Sequence, residues 1–222
     1  MILTSLLTGE KYFWIKVPRT ATMSYQGLFL KYYEGDVKCE IHDPAYGQLH
    51  THFPYDSLCK MYNQRLPGIT LVRHPLTRFI SGLHQLKLLS EEHNFQVPFL
   101  EDTSSCVKFL SNNFDRNCYT STNFEDLFLE ANPRITISFF HLQIYFMYHP
   151  KVTWFKYENI EDFNNWIKVN LGYDLSLLPR INESKKESLT HLDFSEPKFI
   201  EVVENMFYDD YKILGYPFQY LT

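Results

Sequence analysis

An aromatic, β-branched run from Tyr12 to Val17 stops at Pro18, and a stretch of small and hydroxylated residues, Thr20-Ala21-Thr22-Met23-Ser24, leads into Tyr25-Gln26-Gly27-Leu28-Phe29-Leu30. That order predicts a buried strand over 13–17, a tight turn and a helix, because Pro18 both ends the strand and holds Val17 extended. A helix that starts after such a turn aims its first backbone N–H groups and the positive end of its dipole at one point, which is a cradle for an anion. Arg19 sits where it can reach over that anion. The stretch lacks the G-x-x-x-x-G-K-[ST] pattern of a nucleoside-triphosphate P-loop, which disfavours an ATPase or GTPase. Taken alone it also fits plain strand-to-helix punctuation.

A second segment repeats the order. Gly68 to Val72 is a short apolar run bounded by Pro67-Gly68, and Arg73-His74-Pro75 leads into Leu76-Thr77-Arg78-Phe79-Ile80-Ser81-Gly82-Leu83. Pro75 suits the first turn of a helix, where its missing N–H is not needed. Leu76, Phe79, Ile80 and Leu83 form the i, i+3, i+4, i+7 stripe that faces a core. Arg73 is thereby expected at the carboxyl end of a strand, where open α/β sheets bind ligands, with Ser81 about two turns along the following helix.

The pair PRTATMS (18–24) and VRHPLTRFIS (72–81) resembles the two cofactor signatures of sulfotransferases that use 3′-phosphoadenosine 5′-phosphosulfate (PAPS), close to P-K-T-A-[SG]-T-S and R-D-P-x-x-R-x-x-S. Among these the chain is most similar to the carbohydrate enzymes, and in its motifs to the heparan sulfate 2-O-sulfotransferases. Gln48-Leu49-His50-Thr51-His52 resembles the H-x-H segment that carries their general base. Val152 to Phe163, with Tyr157-Glu158-Asn159-Ile160-Glu161-Asp162-Phe163, resembles their strand and "YENLEDF" helix, and Leu178 to Lys185 their "LPHLN-S" segment. The five pieces keep their order from about Phe13 to Gly215. The resemblance implies an α/β, three-layer P-loop-like fold with a mostly parallel central sheet flanked by helices. It further implies cofactor contacts from Arg19, Thr20, Ala21, Thr22, Met23, Ser24, Arg73, Ser81, Ser184 and Lys185, with 3′-phosphoadenosine 5′-phosphate (PAP) as product and no metal required. Three positions depart from the pattern: Arg19 stands for Lys, Met23 for a hydroxyl residue and His74 for Asp. Arg19 keeps the charge but turns a compact ammonium into a planar fork.

Sulfuryl transfer needs few groups, since positioning and charge stabilisation dominate an in-line displacement. A hydroxyl acceptor needs a base near neutral pH, and His52 is the first choice with His50 second; on a strand the two point to the same side. Arg19 is the expected catalytic cation. Two His at i, i+2 could instead chelate a metal with His42 or Asp43, but no H-E-x-x-H or Cys/His cluster completes such a site.

The 222 residues suit one sulfotransferase-like domain over 1–222. Strands are expected near 13–17, 37–41, 47–51, 69–72 and 152–156, with a less regular helix-and-loop region over about 88–133 on the acceptor side. Ile160, Phe163, Ile167 and Leu171 make a stripe ended by Gly172, and Ile200, Val203, Phe207 and Leu214 suggest a C-terminal helix. Nineteen Phe and 16 Tyr mark a densely packed chain. Cys39, Cys59, Cys106 and Cys118 show no C-x-x-C spacing, so reduced thiols are expected, with a Cys106–Cys118 bridge as the alternative. A net charge of −5 argues against a nucleic-acid surface. No basic segment followed by an apolar one begins the chain, and no run approaches a membrane span, so a cytoplasmic protein without an anchor is expected. The partner is then a hydroxyl-bearing acceptor, a glycan or small molecule. A non-catalytic nucleotide- or glycan-binding protein on the same fold is the alternative, and a nucleotide-dependent phosphotransferase a third reading.

Overall fold

A computed structural model describes residues 1–32, 52–118, 140–178 and 189–221. Their backbone contacts group into two compact units, each assembled from two stretches of chain: Met1–Arg73 with Gln143–Glu183, and His74–Leu142 with Ser184–Thr222.

The first unit carries the sheet. Strands β1 (Ile2–Thr4), β2 (Lys11–Trp14), β3 (Gly68–Val72) and β4 (Val152–Lys156) lie side by side in chain order among the described residues. β1 runs antiparallel to β2, while β2–β3 and β3–β4 are parallel, with Trp14 opposite Ile69 and Val72 opposite Lys156. The fold is therefore α/β with a mostly parallel sheet. β3 is buried along its whole length, as a central parallel strand must be. A Cβ at Gly68 would lie 2.8 Å from Ile15 Cδ1 and 2.9 Å from Val152 Cγ2, so the bare glycine lets the neighbouring strands close over it.

Side chains alternate across β2 and fix what covers each face. Trp14 packs with Phe29 of α1 (Thr22–Lys31) and stacks on Phe163 of α6 (Ile160–Trp166). Phe13 points the other way, toward Tyr55 and Tyr62 of α2 (Tyr55–Tyr62). A buried cluster joins Leu28, Ile69, Leu71, Ile167 and Leu171 to Trp14 and Phe163. The stripe from Ile160 ends as expected at Gly172, whose φ of 73° suits a residue without Cβ, although its last turn, Ile167–Leu171, is π-type.

Two expectations for this unit change. β1 was not foreseen, and its antiparallel pairing draws β2 back to Lys11. The expected 13–17 strand keeps one more bond to β3, from Ile15 N to Ile69 O (3.0 Å), and then leaves the ladder as side chains take the next carbonyls: Thr70 Oγ1 donates to Ile15 O (2.7 Å), His52 Nδ1 to Lys16 O (2.7 Å) and Thr20 Oγ1 to Val17 O (2.9 Å). The strands expected at 37–41 and 47–51 lie outside the described residues.

The second unit is helical in its described residues. Its long helix α3 (Pro75–His93) has Pro75 in the first turn and buries Leu76, Phe79, Leu83 and Leu86. Phe79 meets the rings of Phe140, Phe199 and Phe207. Asp102 caps α4 (Thr103–Asn113) by accepting from Ser105 N at 2.8 Å. Of the region expected over 88–133, residues 119–133 lie outside the described ones. The expected C-terminal helix is two, α7 (Pro197–Met206) and α8 (Tyr208–Leu214), because Phe207 turns out of helical geometry at φ −114°, ψ 29°. Met206, Phe207, Asp210 and Tyr211 are all buried around this turn. Buried Glu204 accepts from the backbone N–H groups of Gln219, Tyr220 and Leu221 and so ties down the end of the chain. Cys106 is a buried free thiol, and burial pushes it up to about 12, so it behaves as a core residue. Among the described residues no helix is long and apolar enough to cross a membrane.

Candidate active site

The candidate site grows out of the carboxyl ends of β2 and β3 in the first unit. Past β2, the carbonyls of Ile15, Lys16 and Val17 are each taken by a side chain as the backbone runs into the turn at Pro18. There Arg19 has φ 66° and Ala21 φ 59°, while Thr20 between them stays outside the positive-φ region. Alternating signs of φ turn consecutive amides toward one side, the geometry of an anion-binding nest. For non-glycine residues this backbone costs roughly 1–2 kcal/mol each, strain that recurs at ligand sites. The α1 helix begins at once: Ala21 O accepts from Ser24 N at 3.1 Å and from Tyr25 N at 3.4 Å. The first amides of a helix have no acceptor within it, so those of α1 add to the same potential.

The Thr20 hydroxyl gives its hydrogen to Val17 O and is fully buried, so Thr20 offers an anion its amide rather than its side chain. Lys16, two residues before the first motif, is buried and donates to Gln26 Oε1 at 3.1 Å. Both side chains stiffen the strand-to-helix passage.

Arg19 and Arg73 are brought together electrostatically. Burial first, and then the charge of Arg73, hold the Arg19 guanidinium below its ordinary value. An added negative charge near the two guanidinium groups would favour the charged form of Arg19. Arg73 follows directly on β3 and is held at both ends. Its backbone N–H donates to Gln143 Oε1, and Gln143 Nε2 donates back to its carbonyl, each at 2.8 Å. Its guanidinium carbon lies 5.1 Å from the centre of the Tyr157 ring, a cation–π contact.

His52 reaches the same strand end. Because the Lys16 carbonyl only accepts, the 2.7 Å contact makes Nδ1 the ring nitrogen that carries hydrogen, and in the neutral ring Nε2 then holds the lone pair. This is the tautomer a general base requires at Nε2.

The structure thus brings Arg19, Thr20, Ala21, Ser24, Arg73 and His52 to one sheet end within the first unit, with the backbone of Thr22 and Met23 in the first turn of α1. Ser81 is buried on α3 in the second unit. His50, Ser184 and Lys185 lie outside the described residues, as do His42 and Asp43. Arg78, another cation of the second motif, is fully buried in the second unit, donating to His141 O at 2.8 Å and lying 3.7 Å from Asp210 Oδ2. His74 immediately precedes α3 and packs edge-on against Tyr211 and Tyr216. Among the described residues no group of His, Cys, Asp or Glu side chains is arranged to hold a metal ion.

Sequence reasoning did not find Gln143 or the hydrogen-bonding role of Thr70. Thr70 is the one polar side chain in Gly68–Val72, a signal that could have marked it. Gln143 gives no local signal, since its partner is 70 residues away.

The chain matches no protein-family model, no curated protein and no solved structure.

Proposed function

We propose that the chain is a PAPS-dependent sulfotransferase acting on a hydroxyl acceptor, a carbohydrate or small molecule, on a three-layer P-loop-like fold of the sulfotransferase type. The observation that carries the reading is the left-handed backbone of Arg19 and Ala21 at the strand-to-helix turn of the first motif, with the charge of Arg73 from the second motif felt at Arg19. Motifs more than forty residues apart in sequence supply mutually repelling cations at adjacent parallel strand ends, as a ligand with several negative charges demands.

The residues fit such a donor. Arg73 and the nest amides of Arg19, Thr20 and Ala21 would hold its phosphates, and the sulfate ester itself supplies the activated sulfuryl group. Arg19, with its charge already disfavoured by burial, gains most when negative charge develops beside it, which places its contribution in the transition state. His52, with hydrogen fixed on Nδ1, takes the acceptor's proton at Nε2.

The test is to incubate the protein with PAPS and a panel of glycans and phenols and to follow release of PAP. Acceptor-dependent release supports the reading. PAPS that is bound but not consumed would make the chain a binding protein, and consumption of ATP with Mg²⁺ in place of PAPS would make it a phosphotransferase.

A further inference from the structure

A glutamine side chain buried to 0 % exposure is costly unless its amide is fully bonded. Gln143, the first residue of α5 (Gln143–Met147), satisfies both ends of its amide on a single residue, accepting from Arg73 N and donating to Arg73 O at 2.8 Å each. The pairing leaves no ambiguity about which end of the amide is oxygen, because a backbone N–H only donates and a carbonyl only accepts. This is the bonding a neighbouring strand would give. β3 ends its ladder with β4 at Val72, and its ladder with β2 earlier still, at Ile69. The next residue would be free to turn with the chain as it leaves the sheet. Gln143 substitutes for a strand there and extends the fixed geometry of β3 by one residue, the residue that carries the guanidinium.

We infer that Gln143 is a positioning residue, whose side-chain amide clamps the backbone of Arg73 and so sets where its guanidinium meets an anionic ligand. The inference rests on the sulfotransferase reading, in which Arg73 holds a phosphate of the nucleotide. The clamp fixes only the Cα end of Arg73. Tyr157 lies against the guanidinium at the other end, so the four-bond side chain spans two fixed points rather than sweeping through its rotamers. A cation already held where its ligand binds loses less freedom on binding. A displacement of about 1 Å at such a group costs on the order of 10²-fold.

The experiment is a double-mutant cycle read by calorimetric titration with PAP and, in parallel, with ADP, which lacks the 3′-phosphate. Gln143→Met keeps the length of the side chain and removes both hydrogen bonds; Gln143→Glu keeps the acceptor for Arg73 N and serves if the first variant fails to fold, as judged by thermal unfolding. The expected result is a loss of PAP affinity of at least about tenfold with ADP affinity little changed, and no further loss when the same substitution is made in Arg73→Ala. An equal loss in both backgrounds, or an equal loss for both nucleotides, would show a purely structural glutamine and overturn the inference. So would unchanged PAP affinity in a variant that has lost the clamp. If the unsubstituted protein binds no PAP, the sulfotransferase reading itself falls and takes this inference with it; the first titration separates that outcome from the others.

Discussion

His52 Nδ1 donates to the carbonyl oxygen of Lys16 at 2.7 Å, so the imidazole is tethered to the strand end from which the turn at Pro18 departs. The tether sets both the place of the ring and its tautomer. Nitrogen-15 shifts of labelled protein should report hydrogen on Nδ1 of neutral His52. His52→Ala should lower sulfuryl transfer by about 10²–10⁴-fold with little change in PAP affinity. A dominant Nε2–H tautomer, or near-normal turnover in the variant, would remove His52 from the role of base.

Arg19 carries a built-in penalty. Its folded value is lowered, so the native state binds that proton less readily than the unfolded chain does, and the cost to folding is present at every pH below the lowered value. Because a guanidinium stays charged across the usual working range, the cost is constant from about pH 5 to 9, and a bound anion would reduce it. Arg19→Ala should therefore leave the ligand-free protein as stable as before or slightly more so, while shrinking the rise in melting temperature caused by PAP. A ligand-free variant that melts well below the parent would mean that Arg19 is a structural brace.

Ala21, with φ 59°, and Arg19, two residues before it, hold a left-handed backbone that β-branched residues resist. Ala21→Gly is expected to be neutral or stabilising by up to about 1 kcal/mol, and Ala21→Val to cost more than about 1 kcal/mol and to weaken PAP binding together with stability. Urea unfolding with and without PAP checks both. Equal behaviour of the two variants would show that the turn is not strained.

In the second unit, Arg78 and Asp210 form an ion pair with both side chains 0 % exposed. Removing one partner leaves the other charge buried, so Arg78→Met should destabilise by about 3–5 kcal/mol, and Arg78→Met with Asp210→Leu should recover much of that loss. Denaturant unfolding of the two variants measures the difference. A double variant as unstable as the single one would mean that the pair is not what holds Arg78 in place.

What could be read from the sequence was local. Gly68–Val72 and Pro75 announce a strand and a helix because the apolar run, the breaker and the stripe of Leu76, Phe79 and Leu83 are contiguous, and the same holds for Ile160 to Gly172. The three residues of β1 are too few to show alternation, and only pairing with β2 makes them a strand. The split between α7 and α8 lies in the non-helical backbone of Phe207, which the apolar spacing of Ile200, Val203, Phe207 and Leu214 does not encode. At the candidate site, Arg19, Arg73 and His52 were legible from motif order. The Gln143 clamp, the Tyr157 contact and the tether on Lys16 O were not, since each joins residues distant in sequence through a bond that no spacing rule anticipates.

The most direct test of the account is a calorimetric titration of the protein with PAP and with ADP, repeated in Arg19→Ala and Arg73→Ala. Joint action of the two cations predicts that PAP binds more tightly than ADP, that Arg73→Ala removes most of this difference, and that Arg19→Ala lowers turnover of PAPS more than it lowers PAP affinity. Equal affinities for PAP and ADP in the parent protein, unchanged by either substitution, would contradict it.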